Sequence, residues 1–189
     1  MPAYLTSGEC RVRIRKTSDA EGGIYCYDTI RWIYHILRER RIMERRIVDA
    51  EIVLVPYYPN YEVALQWYQD LELCKQVDNI DYVYSLDRLK SMYDYLSAHG
   101  DCYYIEYKNC LVGDVTLKED EISVVICKEY QNRHIGRRCA NNMIHLAKEK
   151  GLTQVKAEIY PFNKQSLQMF SAIGFEHLEN DWYVYNIEI

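Results

Sequence analysis

The residues best placed to do chemistry lie in Tyr130-Gln-Asn-Arg-His-Ile-Gly-Arg-Arg138, at the head of an amphipathic stretch that Gly151 closes. The first turn of a helix leaves its N–H groups unpaired, and the helix dipole points its positive end outward. A polar turn feeding such a terminus is an anion site. Gly136 lets a ligand approach the backbone closely, and Arg133, Arg137 and Arg138 add positive charge beside the amides. The chemistry this implies is capture of a phosphate or pyrophosphate. Taken alone, the stretch also fits a glycine that merely starts a buried helix among solvated arginines. A thiol-based or metal-based site has less support. The seven cysteines are odd in number and contain no C-x-x-C pair, which fits reduced thiols in a cytoplasm better than disulfides or zinc.

Elements on both sides must hold that terminus. Ile122–Cys127 is strand-like, Lys128–His134 is the turn, and the helix starts near Ile135 with Ala140, Met143, Ile144 and Ala147 on its core face. Upstream, Glu51–Tyr58 is a strand ended by Pro59, and Asn60–Leu73 is helical. Ser85 caps a helix to Ala98 whose apolar side is Leu86, Leu89, Met92, Tyr93 and Leu96. Segments near 101–107, 111–117 and 121–127, joined by short polar connections, predict an antiparallel meander. Downstream come a strand over Gln154–Tyr160, a helix over Asn163–Ile173 closed by Gly174, and a strand pair over 175–189. Before all of this, Cys10–Lys16 alternates apolar and basic residues, and a turn, a return strand and a helix over Ile30–Leu37 follow. The sequence therefore divides into an N-terminal basic extension over 1–46, a hairpin plus helix, and a mixed α/β body over 47–189.

Composition narrows the function classes. With 189 residues, 49% of them hydrophobic and only eight glycines and four prolines, the chain has room for one main core. The longest apolar runs, such as Ile52–Val55, are far too short to span a bilayer, and the N-terminus lacks a signal peptide's apolar core. These features predict a cytoplasmic protein without a membrane partner. Residues 1–46 carry a net charge of +4 and the rest −9, so the two parts suit different partners. Five arginines in Arg38–Arg46 fit either a solvated helix end or a phosphate patch. Nucleic-acid binding is not expected of the body and could come only through the extension. Nineteen tyrosines suit half-buried strands and pocket walls alike.

Two segments carry a family resemblance. Tyr130–Gly136 resembles the Q/R-x-x-G-x-G/A coenzyme A loop of the GNAT (acetyl-CoA-dependent N-acetyltransferase) superfamily. Glu158-Ile-Tyr-Pro-Phe-Asn163-Lys-Gln-Ser166, with Ala172-Ile-Gly174-Phe175, resembles the family's late strand and the helix after it. The resemblance covers about residues 47–189 and implies a mixed, mostly antiparallel sheet flanked by helices, an α+β fold. Trp67-Tyr-Gln-Asp70 and Met92-Tyr-Asp-Tyr-Leu96 look like the acceptor side of aminoglycoside-type and ribosomal-protein amine acetyltransferases, a weaker match that implies Trp67, Asp70 and Tyr93 as substrate contacts.

The same resemblance implies roles for further residues. Val124, Val125 and Ile126 would pair through the backbone with pantetheine and the thioester carbonyl. Asn132, Arg133, His134, Ile135, Gly136 and Arg137 would cradle the pyrophosphate of acetyl-CoA, and Asn163 would contact the cofactor arm. Glu158 matches a glutamate base. Two departures stand out: His134 occupies the loop's first glycine, and Phe170 replaces the tyrosine that protonates the departing thiolate. The expected activity is metal-free, direct acetyl transfer from acetyl-CoA to the primary amine of a cationic small molecule. A non-catalytic acyl-CoA sensor and a protein N-terminal acetyltransferase remain as alternatives, and oligomeric state is open, a homodimer included.

Overall fold

The apolar strands of the body align into one eight-stranded sheet in the computed structural model, which describes residues 43–188. The hairpin and helix expected before Ile42 lie outside the described residues. In chain order the strands are β1 (Arg46–Ile47), β2 (Ile52–Pro56), β3 (Gly100–Tyr107), β4 (Cys110–Lys118), β5 (Glu121–Ile126), β6 (Gln154–Glu158), β7 (Glu176–Glu179) and β8 (Trp182–Asn186). The helices are α1 (Tyr61–Trp67), α2 (Leu71–Asp78), α3 (Leu86–His99), α4 (Ile135–Glu149) and α5 (Lys164–Ser171). Spatial order in the sheet is β1-β2-β3-β4-β5-β6-β8-β7. The mixed, mostly antiparallel architecture is the expected one. None of these helices is long and apolar enough to cross a membrane.

The β3–β4–β5 meander forms as its turn residues predict. Lys108 and Asn109 both take positive φ, 50° and 66°, as a two-residue turn matched to strand twist requires. Every pairing is antiparallel except β5 with β6, which run parallel and meet at a single register pair, Glu121 with Lys156. Parallel neighbours need a crossover, and α4 supplies it. Beyond Glu121 the two strands share no further register pair, while on its other edge β6 pairs along its whole length with β8.

Register fixes what each face of the sheet presents. Val55, Tyr104, Asp114 and Val125 stand opposite one another across β2, β3, β4 and β5, so they share one face. Trp67 at the end of α1 and Tyr93 of α3 both pack on Tyr104, at ring-centroid distances of 5.8 and 5.7 Å. Val124 and Ile126 point to the opposite face, where α4 lies against them. The core face expected for α4 is buried, extended by Ile135, Cys139 and Leu146.

Two boundaries and one helix face differ from the sequence reading. The helix expected over Asn60–Leu73 is two helices, because Asp70 takes an extended conformation and its carboxylate accepts the Leu73 N–H to start α2; an N-cap competes well with helix continuation. Leu86, expected on the apolar side of α3, is exposed at its first turn. Residues 43–46 are part of the body: Arg46 opens β1, and its guanidinium binds Asn142 at 2.8 Å and Glu149 at 2.8 and 2.9 Å on α4.

Candidate active site

The helix end expected to hold an anion carries no side-chain cap. Asp70, Ser85 and Asn163 cap α2, α3 and α5 with their side chains. At α4 the cap residue His134 offers no side-chain hydrogen bond, and the first turn holds no acid. Its amides are thus free of local anionic partners. His134 has φ 59° and Asn132 φ 61°. The position where the family motif carries glycine therefore keeps a glycine-like backbone, and histidine and asparagine are among the few residues that accept it. The loop is tied down by Gln131, which donates to the Ile126 carbonyl at 3.0 Å, and by Gln165 of α5, which donates to Asn132 at 3.0 Å.

Of the arginines expected there, Arg137 lines the cavity described below. Arg133 turns back, donating to the Glu129 carbonyl at 3.0 Å with its guanidinium over the Tyr130 ring. Arg138 is committed elsewhere, bound to Asp49 and Glu51 at 2.9 and 3.0 Å, so it adds no charge beside the amides.

A cavity of about 650 Å³ runs from this terminus through the gap between β5 and β6. Its lining brings together Val124, Val125, Ile126, Asn132, His134, Ile135, Gly136, Arg137, Glu158 and Asn163. Asn163 also works locally: it accepts the Ser166 N–H at 3.1 Å and donates to the Gln76 carbonyl at 3.4 Å, joining α5 to α2. Gly113 shapes the gap from the other side. A side chain there would place its Cβ 1.9 Å from the Val125 carbonyl oxygen, so only glycine lets β5 approach β4 at that point.

The far end of the cavity is acidic. Asp78, Asp114, Glu121 and Glu158 line it. Asp78 is held by Arg88 at 3.0 Å and by the Tyr84 hydroxyl, and Glu121 by Lys118 at 2.9 Å. No cationic partner among the described residues holds Asp114 or Glu158. Burial against the cavity wall raises the Glu158 pKa, and the neighbouring acids Glu121, Asp181 and Asp78 raise it further. Burial alternates around it: Ala157 and Ile159 are buried, Glu158 is exposed and Tyr160 half-buried, and all four line the cavity.

The expected acceptor contacts are not brought into this cavity. Trp67, Asp70 and Tyr93 are absent from its lining. Tyr93 is buried and stacks on Tyr57 at 4.7 Å, and Trp67 packs on Tyr104, so these rings fill one another's faces. Asp70 caps α2 and lies 3.5 Å from Lys128. Of the acids within α1, α2 and α3 only Asp78 lines the cavity, and Glu72 pairs with Lys128 on the outside. Phe170 packs edge-to-face on Phe175 at 4.9 Å, and Tyr68, Tyr130 and Tyr160 are the tyrosines in the lining. Cys127 is buried and its thiol is pushed up to about 11 by that burial, which leaves no thiolate for an acyl-enzyme at neutral pH.

The model of the acetyltransferase (GNAT) family matches residues 64–175, and the chain belongs to that family. Acetyl-CoA is accordingly the acyl donor, and the uncapped α4 terminus and the open edge of β5 suit its pyrophosphate and pantetheine. A GNAT-family acetyltransferase from Bacillus anthracis has 17% identity and a TM-score of 0.63, covering 76% of this chain and 98% of that one. A ribosomal L7/L12 alpha-N-protein acetyltransferase in complex with coenzyme A has 16% identity and a TM-score of 0.64, covering 76% and 98%. The spermidine N-acetyltransferase of Vibrio cholerae, in complex with CoA and spermine, has 15% identity and a TM-score of 0.58, covering 72% and 93%. At these identities the likeness is one of fold. No relative is detected among curated protein sequences.

Proposed function

We propose that the protein acetylates the primary amine of a cationic small molecule by direct attack on the thioester, with Glu158 as the base. The observation that carries this reading is the pair of carboxylates without cationic partners, Glu158 and Asp114, in the cavity that begins at the α4 terminus. An amine arrives as an ammonium ion and must lose a proton before it attacks, and a carboxylate with a raised pKa is suited to take it, directly or through water. Amides of α4 and the Arg137 guanidinium would hold the donor's phosphates. A backbone N–H on the open edge of β5 would stabilise the oxyanion formed at the thioester carbonyl. The glycine-like backbone at His134 weighs against a degenerate loop and hence against a sensor.

The test is release of free thiol from acetyl-CoA with matched cationic, neutral and anionic amines across an ionic-strength series. A cationic amine should give the highest kcat/KM, and that value should fall as salt rises, since screening weakens the attraction. Preference for an anionic amine would refute the reading. CoA binding without thiol release from any amine would support the sensor instead.

A further inference from the structure

Asp114 sits in the middle of the apolar run Leu111–Leu117, is 1% exposed, and lines the cavity. Two tyrosine hydroxyls donate to the same oxygen, Oδ2: Tyr68, between α1 and α2, at 3.0 Å and Tyr93 of α3 at 2.7 Å. No described residue hydrogen-bonds Oδ1. The titratable groups facing the carboxyl from the packed elements are Tyr68, Tyr93, and Tyr104 and Cys102 of β3; none is a cation. Anchoring two hydroxyls needs only a neutral acceptor such as an amide. A buried carboxylate without a cation is costly to keep, so its charge calls for a partner that comes from outside.

Its position says which partner. Asp114 is the register partner of Val125, on the strand whose open edge faces the gap, and it stands on the α1–α3 face. The same cavity is lined by Leu73, Val77, Met92 and Leu96 of α2 and α3, a surface for an unbranched alkyl stem. We propose that Asp114 binds an ammonium group of the acceptor that keeps its charge, so that the preferred acceptor is a linear diamine or polyamine with a second ammonium beyond the reacting nitrogen. This deepens the function proposed above and rests on it. Asp114 is here a specificity residue, and Glu158 remains the base.

The experiment is calorimetric binding of putrescine, n-butylamine and neutral n-butanol to the full chain saturated with CoA, which needs no turnover. Wild type should bind putrescine more tightly than n-butylamine and should not measurably bind n-butanol. Asp114→Asn should weaken putrescine at least tenfold while CoA affinity stays within twofold, and in turnover the loss should fall on KM rather than kcat. Equal putrescine affinity in wild type and Asp114→Asn, or CoA binding without any amine binding, overturns the inference and leaves the donor site intact. Failure of wild type to bind CoA would instead overturn the functional reading. If Asp114→Asn does not fold, Tyr93→Phe decides. Loss of one hydroxyl from the carboxylate makes its ionisation harder, so the acid limb of putrescine affinity should move to higher pH. Asp78, Glu121 and Glu158 are unchanged between the two proteins and cannot produce that shift. An unmoved limb refutes the assignment.

Discussion

Replacing Asp114 by Asn should stabilise the ligand-free protein near neutral pH, by an amount the structure lets one work out. Burial raises the Asp114 carboxyl from an ordinary value of 3.8 to about 6, against the lowering effect of the Tyr93 and Tyr68 hydrogen bonds. A carboxyl with a raised folded-state pKa binds its proton more tightly in the native than in the unfolded chain. Stability is therefore highest below the unfolded value and is lost as pH rises through the folded one. Two pKa units, at 1.36 kcal/mol each, make about 3 kcal/mol in all, of which about 2 kcal/mol is lost between pH 4 and pH 7, because the unfolded carboxyl is already more than half ionised at pH 4. Asparagine keeps an oxygen for both hydroxyls and does not titrate, so the variant escapes this loss. Other groups titrate in both proteins and cancel in the difference. For a domain of this size the gap in melting temperature should widen by about 4–8 °C from pH 4 to pH 7. Thermal unfolding followed by circular dichroism at closely spaced pH values measures it. A gap that stays flat, or narrows toward pH 7, would mean that Asp114 carries no uncompensated charge, and the cation-site argument would fall with it.

Other consequences concern the donor end, the base and the sheet. Gly136→Ala places a Cβ at ordinary contact distance, 3.6 Å from Val124 and 3.7 Å from Ile126. The variant should fold with stability equal to wild type or higher by up to about 1 kcal/mol, yet bind CoA more weakly; unchanged calorimetric affinity would remove the close backbone approach from the donor site. Glu158→Gln should lower kcat by about 10²–10⁴ and leave CoA affinity nearly intact, with activity partly restored at higher pH; full turnover at neutral pH would show that Glu158 is not the base. Gly113→Ala meets the Val125 carbonyl oxygen at 1.9 Å and should cost about 3 kcal/mol in denaturant unfolding. A cost within experimental error would show that β5 can move away from β4.

How much of this was legible depended on whether the pattern was local. The α4 loop, the cap at Ser85 and the meander turns are set within a few residues, and the structure has them where the sequence predicts. Asp114 was missed because β4 is central and buried on both faces, so Leu111–Leu117 shows no alternation from which a functional side could be told. The available signal was a single acid inside an apolar run. That the residues expected as acceptor contacts lie outside the cavity lining was hidden for a different reason: an aromatic residue on a helix reads the same whether it walls a pocket or fills a core. Only the stack of Tyr57 on Tyr93 and the edge contacts on Tyr104 show that Trp67 and Tyr93 are packed among other rings. Asp70 likewise reads as an acid on a helix until the chain breaks before α2 and makes it a cap.

The site lies between β5 and β6 because of how those strands are joined. A hairpin would hold antiparallel neighbours together from the turn onward, leaving no gap between backbones. A parallel pair joined through α4 is free to pair at one end only, and here it pairs at Glu121 with Lys156 and parts beyond. The parting exposes an unsatisfied edge of β5, and the same crossover places the uncapped α4 terminus beside that edge. Charge then divides by face. Val124 and Ile126 point to α4 and its amides, whereas Asp114 and Val125 point to α1–α3, so the carboxylate does not share a face with the site for a pyrophosphate. On the function proposed above, an anionic donor and a cationic acceptor would approach from opposite sides of one sheet, each toward the charge that attracts it, and meet where the sheet is open.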